Sequence, residues 1–198
     1  LAVVGVHAGG YAVPGVGEPD FQTTDGTAID AFFTIGGYPA GVISRHVFNG
    51  EDDLGRGAWE GAVAEMLALP APGNLGRESS FDAGTRDLTV NVELLYTQDS
   101  PLGDDHISVL LKENHVNGPQ TDYGPSGNHT NYDHMHVLRT YLTSTWGDVV
   151  TTTTAGTTVN RTYTVNVPLG WNIANCEVVA FVSEYQSDVY QVREVAAN

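Results

Sequence analysis

The densest group of side chains able to do chemistry is His129-Thr-Asn-Tyr-Asp133-His134-Met-His136. On a strand, side chains two apart share a face, so His134 and His136 would present two imidazoles together with the Asp133 carboxylate nearby. Such a set is the start of a zinc or copper site, whose remaining ligands would come from His129, His106 or His115. His-x-His is a short pattern, however. The plainer reading bonds these ring nitrogens to backbone in a loop, and it takes precedence.

Other candidates are weaker. Asp99, Asp104 and Asp105, around Pro101-Leu102-Gly103, offer oxygen ligands of the kind calcium uses, but their spacing is not that of a twelve-residue calcium loop, and an acidic hairpin loop is the simpler reading. Asp52 and Asp53 precede a helical segment, where they would cap it and favour its dipole. Cys176 is the single cysteine. It cannot form an internal disulfide, and in the alternating run Cys176-Glu-Val-Val-Ala-Phe-Val it reads as a small buried hydrophobe. The sequence contains no Gly-x-Ser-x-Gly, phosphate loop or dinucleotide fingerprint. No catalytic set stands out, and no cofactor is called for.

These residues must be positioned by two kinds of element. Leu1 to His7, LAVVGVH, is a continuous apolar run that reads as a parallel strand buried on both faces. Tyr11 to Phe21 is a Pro- and Gly-rich loop, and Thr23 to Thr27 offers N-caps for a helix in which Ile29, Phe32 and Phe33 recur at helical spacing. Gly36-Gly37 ends that helix. Tyr38-Pro39 makes a corner of the kind that admits a cis bond, and Val42 to Phe48 alternates like a strand. Asn49-Gly50 is a turn, and Trp59, Val63, Met66 and Leu67 mark one face of a second helix near Arg56 to Leu69. After Pro70-Ala-Pro-Gly-Asn the period changes to two. Leu88 to Tyr96, Ile107 to Leu111, Val159 to Val167 and Cys176 to Val182 all alternate, which predicts six to eight antiparallel strands in a β-sandwich.

The 198 residues are 41% hydrophobic, enough for two small cores, and the expected division is 1–70 and 71–198. Twenty-four acidic residues face one lysine and seven arginines, for a net charge of −16. That charge repels phosphate backbones and acidic membrane surfaces, and it weighs against nucleic acid as a partner. No apolar run is long enough to cross a membrane as a helix. Membrane attachment would need an anchor outside this chain. Asn128-His-Thr and Asn160-Arg-Thr match a glycosylation pattern that is common by chance.

The segments VVGVHAGGYAVP, AIDAFFTIGGYPAGVISR, HVLRTYL, WNIANCEVVAFV and VYQVREV together resemble the outer membrane protein 28 family of Bacteroidetes, surface-associated lipoproteins. The resemblance implies a thioredoxin-like first domain followed by a β-rich one, with Tyr38-Pro39 where the thioredoxin fold places its cis-proline. Many members carry a Cys-x-x-Cys shortly before the segment matching Leu1, and this chain has none. It implies that residue 1 is a truncation point and that a central strand is missing between Leu1–His7 and Val42–Phe48. His7, Tyr38 and Pro39 would then line the vacant site, the proline backbone set to pair with an extended substrate. The plain alternative is that His7 ends a strand and Pro39 is a corner.

The sequence therefore predicts an α+β protein, a truncated thioredoxin-like α/β domain followed by an antiparallel β-sandwich. Its expected role is that of a non-catalytic extracytoplasmic protein of the outer-membrane surface, binding an unknown surface ligand or protein, with a homo-oligomer left open. The alternative is thiol-disulfide exchange, using a dithiol upstream of residue 1.

Overall fold

Leu88, Val90, Val92, Leu94 and Tyr96 alternate with Thr89, Asn91, Glu93 and Leu95, and all five are buried. They form one strand of a sandwich whose structure, a computed structural model, describes residues 1–101, 103–120 and 127–197. Leu102 of the acidic loop lies outside them. The described elements are α1 (Thr24–Phe33), α2 (Trp59–Leu67), β1 (Gly73–Asp82), β2 (Asp87–Tyr96), β3 (Asp105–Glu113), β4 (Val116–Gln120), β5 (His129–His134), β6 (Val137–Tyr141), β7 (Asp148–Val149), β8 (Thr158–Asn166), β9 (Cys176–Glu184) and β10 (Val189–Ala196).

Three strands, in the order β1-β2-β8, make one sheet. The order β10-β9-β3-β6, with β7 also on β3, makes the other, and β4-β5 forms a separate ribbon. All named pairings are antiparallel. Leu88 to Tyr96 of the first sheet pack against Ile107, Val109, Leu111, Val178, Ala180 and Val182 of the second, as two half-apolar sheets must. Cys176 belongs to this core.

The five-stranded sheet is buried on its other face as well. There Leu110, Leu138, Val179 and Phe181 form a second cluster, and Ala2 and Val4 of the N-terminal segment pack against it. Residues 1–70 thus contribute to a core they share with the sheet.

The expected thioredoxin-like sheet is not seen among the described residues. Leu1 to His7 makes only two parallel single-residue bridges, Gly5 with Val137 and His7 with Gln22. Val42 to Phe48 is no strand: Ser44 and Arg45 take positive φ (51° and 54°), which breaks the extended backbone. Val4 and Ile43 therefore share no sheet among the described residues. The apolar residues read as strand signal instead lie as a cover on a sheet made by the second part of the chain.

The helices form where the pattern placed them. The Thr23 hydroxyl accepts from the Gly26 amide at 2.8 Å and caps α1. Asn49 and Gly50, both at positive φ, close the turn that bridges Phe48 to Glu51. Asp52 and Asp53 do not cap α2, which begins several residues later behind a 3-10 turn at Arg56–Ala58. The Asp53 carboxylate accepts from the Gly36 amide at 2.9 Å instead.

Candidate functional site

The sole lysine, Lys112, is fully buried on the outer face of β3. An ammonium has three protons and no lone pair. Its Nζ donates to the Val3 carbonyl at 2.9 Å, to Glu194 Oε2 at 2.7 Å and to His136 Nδ1 at 3.1 Å, with Glu177 Oε2 at 3.2 Å completing the shell. Because lysine only donates, His136 Nδ1 must accept, so that ring is neutral with its proton on Nε2. Burial and the neighbouring ammonium both push the His136 pKa down. Burial works against the Glu177 charge, but donors from Asn114 and Lys112 outweigh it and hold its pKa below the usual value. The cluster is a charge clamp tying the N-terminal segment to the sheet.

A second clamp lies near the other end of the same face. The Arg45 guanidinium sits between the Trp146 and Phe181 rings, 5.1 and 4.9 Å from their centroids, and donates to the Tyr185 carbonyl at 3.2 Å. Desolvation lowers its pKa. His46 Nδ1 meets Asp188 Oδ1 at 2.8 Å beside it.

The histidine-rich segment divides. β5 ends at His134, and His136 takes φ 62°, so the two rings do not share a face. His134 Nε2 donates to the Pro119 carbonyl at 3.2 Å. Its ring packs edge-on against Phe21 (5.1 Å), His7 (5.3 Å) and Tyr132 (4.9 Å). Asp133 bonds the exposed His115 at 2.9 Å, His106 faces Gly147 and Asp104, and His129 lies near Tyr132. Among the described residues no three His, Cys, Asp or Glu group closely enough to hold a metal ion.

His7 and His134, assigned by sequence to separate sites, thus meet in one aromatic cluster. His7 Nδ1 is buried there with no hydrogen-bond partner among the described residues. Burial, then His134 and Arg139, lower the His7 pKa, and burial lowers that of His134, so both rings stay neutral. Tyr38 goes elsewhere. Its hydroxyl donates to Asp30 at 2.6 Å, which raises its pKa, and its ring covers Gly9 so closely that a side chain there would collide with it. The Tyr38-Pro39 peptide is cis and Pro39 is exposed. His7 and Tyr38 thus take different hydrogen-bond and ring partners, although Tyr38 lies over Gly9, two residues from His7.

The acidic loop is also resolved into separate roles. Asp105, fully buried, accepts from the Tyr96 and Ser100 hydroxyls, both at 2.6 Å. Asp99 accepts from the Ala155 amide at 2.8 Å. Cys176 donates to the Asn172 carbonyl, and burial pushes its thiol up to about 12, far from the range of a reactive thiolate.

A cleft of about 300 Å³ opens where the end of the α2 segment meets the sandwich. Met66, Leu69 and Pro72 form its apolar wall, Tyr190 contributes a ring, and Asp99 and Asp188 stand among its lining. Burial, then Asp105, Glu184 and Asp188, raise the Tyr190 pKa, so its hydroxyl stays protonated. Such a site suits a ligand with an apolar body and a cationic end. The sequence reading missed it because its walls come from three separate stretches, none carrying a motif.

The family model for outer membrane protein Omp28 matches residues 26–198, and the chain belongs to that family. The protein is accordingly one of the bacterial outer membrane and cell surface. HBP35 of Porphyromonas gingivalis shares the fold, with a TM-score of 0.66 at 19% identity over 85% of this chain. This chain spans only 55% of that one. A domain of the outer membrane lipoprotein Omp28 from the same organism is 22% identical over 65% of this chain and 89% of its own, with a TM-score of 0.44. No curated protein matches the sequence.

Proposed function

We propose that this member of the outer membrane protein Omp28 family is a non-catalytic binding protein of the cell surface, which receives a ligand in the cleft between α2 and β10. The observation that carries this reading is the cleft itself: an apolar wall of Met66, Leu69 and Pro72 with Asp99 and Asp188 beside it, in a chain of net charge −16. Long-range attraction favours cationic ligands, and the apolar wall gives them purchase. A peptide segment pairing leucine with lysine or arginine has that chemistry.

The test is an NMR titration of the full chain with a short Leu- and Lys-containing peptide, alongside the same peptide with Glu in place of Lys. Shifts confined to Met66, Leu69 and Tyr190 with the first peptide, and lost in Met66→Glu, are expected. Shifts elsewhere, or equal response to both peptides, would overturn the reading.

The thiol-disulfide alternative, and the thioredoxin-like frame with it, draws no support from a reactive group in this chain, whose one thiol is buried and protonated. Its one route is a Cys-x-x-Cys supplied ahead of Leu1, which the gene sequence there would reveal.

A further inference from the structure

β1 meets β10 along a seam where the two sheets close against each other. The Ser79 hydroxyl donates to the Ala196 carbonyl and Arg193 Nε to the Leu75 carbonyl, each at 3.2 Å. Between those two positions on β1, Arg77 stands opposite Val92 of the core, so its side chain leaves the strand on the side that faces the other sheet. Its Nε and Nη1 are buried, and neither has a hydrogen-bond partner among the described residues.

A guanidinium cannot shed its proton to escape that situation, so each buried N–H without an acceptor carries the full cost of its lost hydration. Other arginines of the chain find acceptors within it. Arg86 donates to the Val167, Pro168 and Trp171 carbonyls, Arg139 Nε donates to Glu113 at 2.8 Å, and Arg45 donates to the Tyr185 carbonyl. Among the described residues, Arg77 is the one arginine with buried donors left open. Burial lowers its pKa, and the Glu194 charge works the other way.

Arg77 lines a cleft of about 270 Å³ together with Leu75, Gly76, Arg193, Glu194 and Val195. The charge of this cleft runs against that of the molecule. Two of the chain's eight basic side chains meet here, in a protein of net charge −16, and the one carboxylate of the lining, Glu194, has its Oε2 held by Lys112 at 2.7 Å. Arg193 commits only Nε, to Leu75, which leaves its terminal nitrogens available to a ligand. We infer that this cleft is a binding site for a small oxyanion, a carboxylate or a phosphate, seated against the Arg77 guanidinium with Arg193 as its second cation. The open groups select the ligand. Unpaired N–H donors on a permanent cation call for negatively charged acceptor oxygens, and the planar guanidinium fork matches the paired oxygens that both groups present. The volume suits a small molecule, and the exposed apolar surface of Val195 offers contact to a short carbon body. The lining shares no residue with the cleft between α2 and β10, so this site stands apart from the one proposed above for a cationic ligand.

NMR of the isotope-labelled full chain, following the arginine Nε–H signals, tests this. Sodium phosphate and sodium acetate are titrated separately, with sodium chloride added to hold the ionic strength constant. The Arg77 and Arg193 signals should shift and saturate with phosphate, acetate or both, and chloride alone should not reproduce the shift. A response to phosphate only assigns a phosphate-bearing ligand, and a response to acetate assigns a carboxylate. Arg77→Met removes the charge-assisted hydrogen bonds and should weaken binding by about tenfold or more. Arg56→Met removes the same charge from the turn before α2 and should change it by less than about twofold. Arg193→Met, at the exposed rim, should weaken it by about threefold or more, and it keeps the test open should the Arg77 variant fail to fold. Shifts that grow without saturating, or binding indifferent to both cleft substitutions, would show that water alone serves Arg77 and would overturn the proposal.

Discussion

The two sheets share one core and differ in what lies on their outer faces. The five-stranded sheet presents Leu110, Val179 and Phe181 outward and is covered by the N-terminal segment, held by Lys112 at one end and Arg45 at the other. The three-stranded sheet presents Glu78, Ser80, Thr89, Asn91, Thr162 and Thr164 outward and is bare. One face is built to be covered and needs charged fasteners. The other is already satisfied by water and by short bonds such as Thr162 to Asn91 at 2.8 Å. The contrast shows how a chain with a single sandwich core disposes of a third of its length without giving it a domain core of its own.

Substitutions on the two faces should therefore differ sharply. Lys112→Met strands Glu177 and Glu194, and a loss of about 3 kcal/mol is expected in denaturant unfolding, near the low end for a broken buried pair because both carboxylates keep over a quarter of their exposure. An unchanged midpoint would break the comparison. Arg45→Met gives up both ring contacts and the bond to Tyr185, for about 1 to 2 kcal/mol. Hydrogen exchange should quicken first over β9 and leave β2 protected.

The pH dependence should follow the covered face. His7, His134 and His136 have pKa values below 6.5 in the fold, chiefly through burial, while the unfolded chain titrates near 6.5. Below that pH the unfolded chain binds protons the folded chain refuses, so stability is full above about 6.5 and falls with acid. Unfolding midpoints measured downward from neutral pH should decline, and His134→Gln should flatten the slope. The smallest effect belongs to the bare face: Thr89→Ala should stay within about 0.5 kcal/mol, and a larger loss would show that this face is not inert.

The strands β2, β3 and β9 were legible because apolar residues recur along one face of each, and β8 was legible through Val159, Tyr163 and Val165 although Arg161 interrupts the same face. β1 was not: Leu75, Arg77, Ser79 and Phe81 point inward, and the polar pair among them sits where the sheet meets β10 and bonds to or faces its residues. The run Cys176-Glu-Val-Val-Ala-Phe-Val was read as alternating, which accounts for burial of one face only, whereas both faces of β9 are buried. What covers the second face is Ala2 and Val4, far away in the chain. Leu1 to His7 misled for the converse reason, since an apolar run records burial and not the partner that provides it. The fate of Lys112 was illegible from its surroundings in sequence. Lysine belongs on the surface by default, and the groups that draw it inward stand 24 and 82 residues away, at His136 and Glu194.

The burial of that lysine has a consequence for how the protein meets its environment. A protease that cuts after lysine, or a reagent that acylates side-chain amines, has a single target in this chain, near the C-terminal end of β3 with no exposed surface. Cleavage or labelling at Lys112 would therefore register only openings that lift the N-terminal segment from the sheet. The residue is a built-in clock for that event, readable by mass in a mixture or on an intact cell.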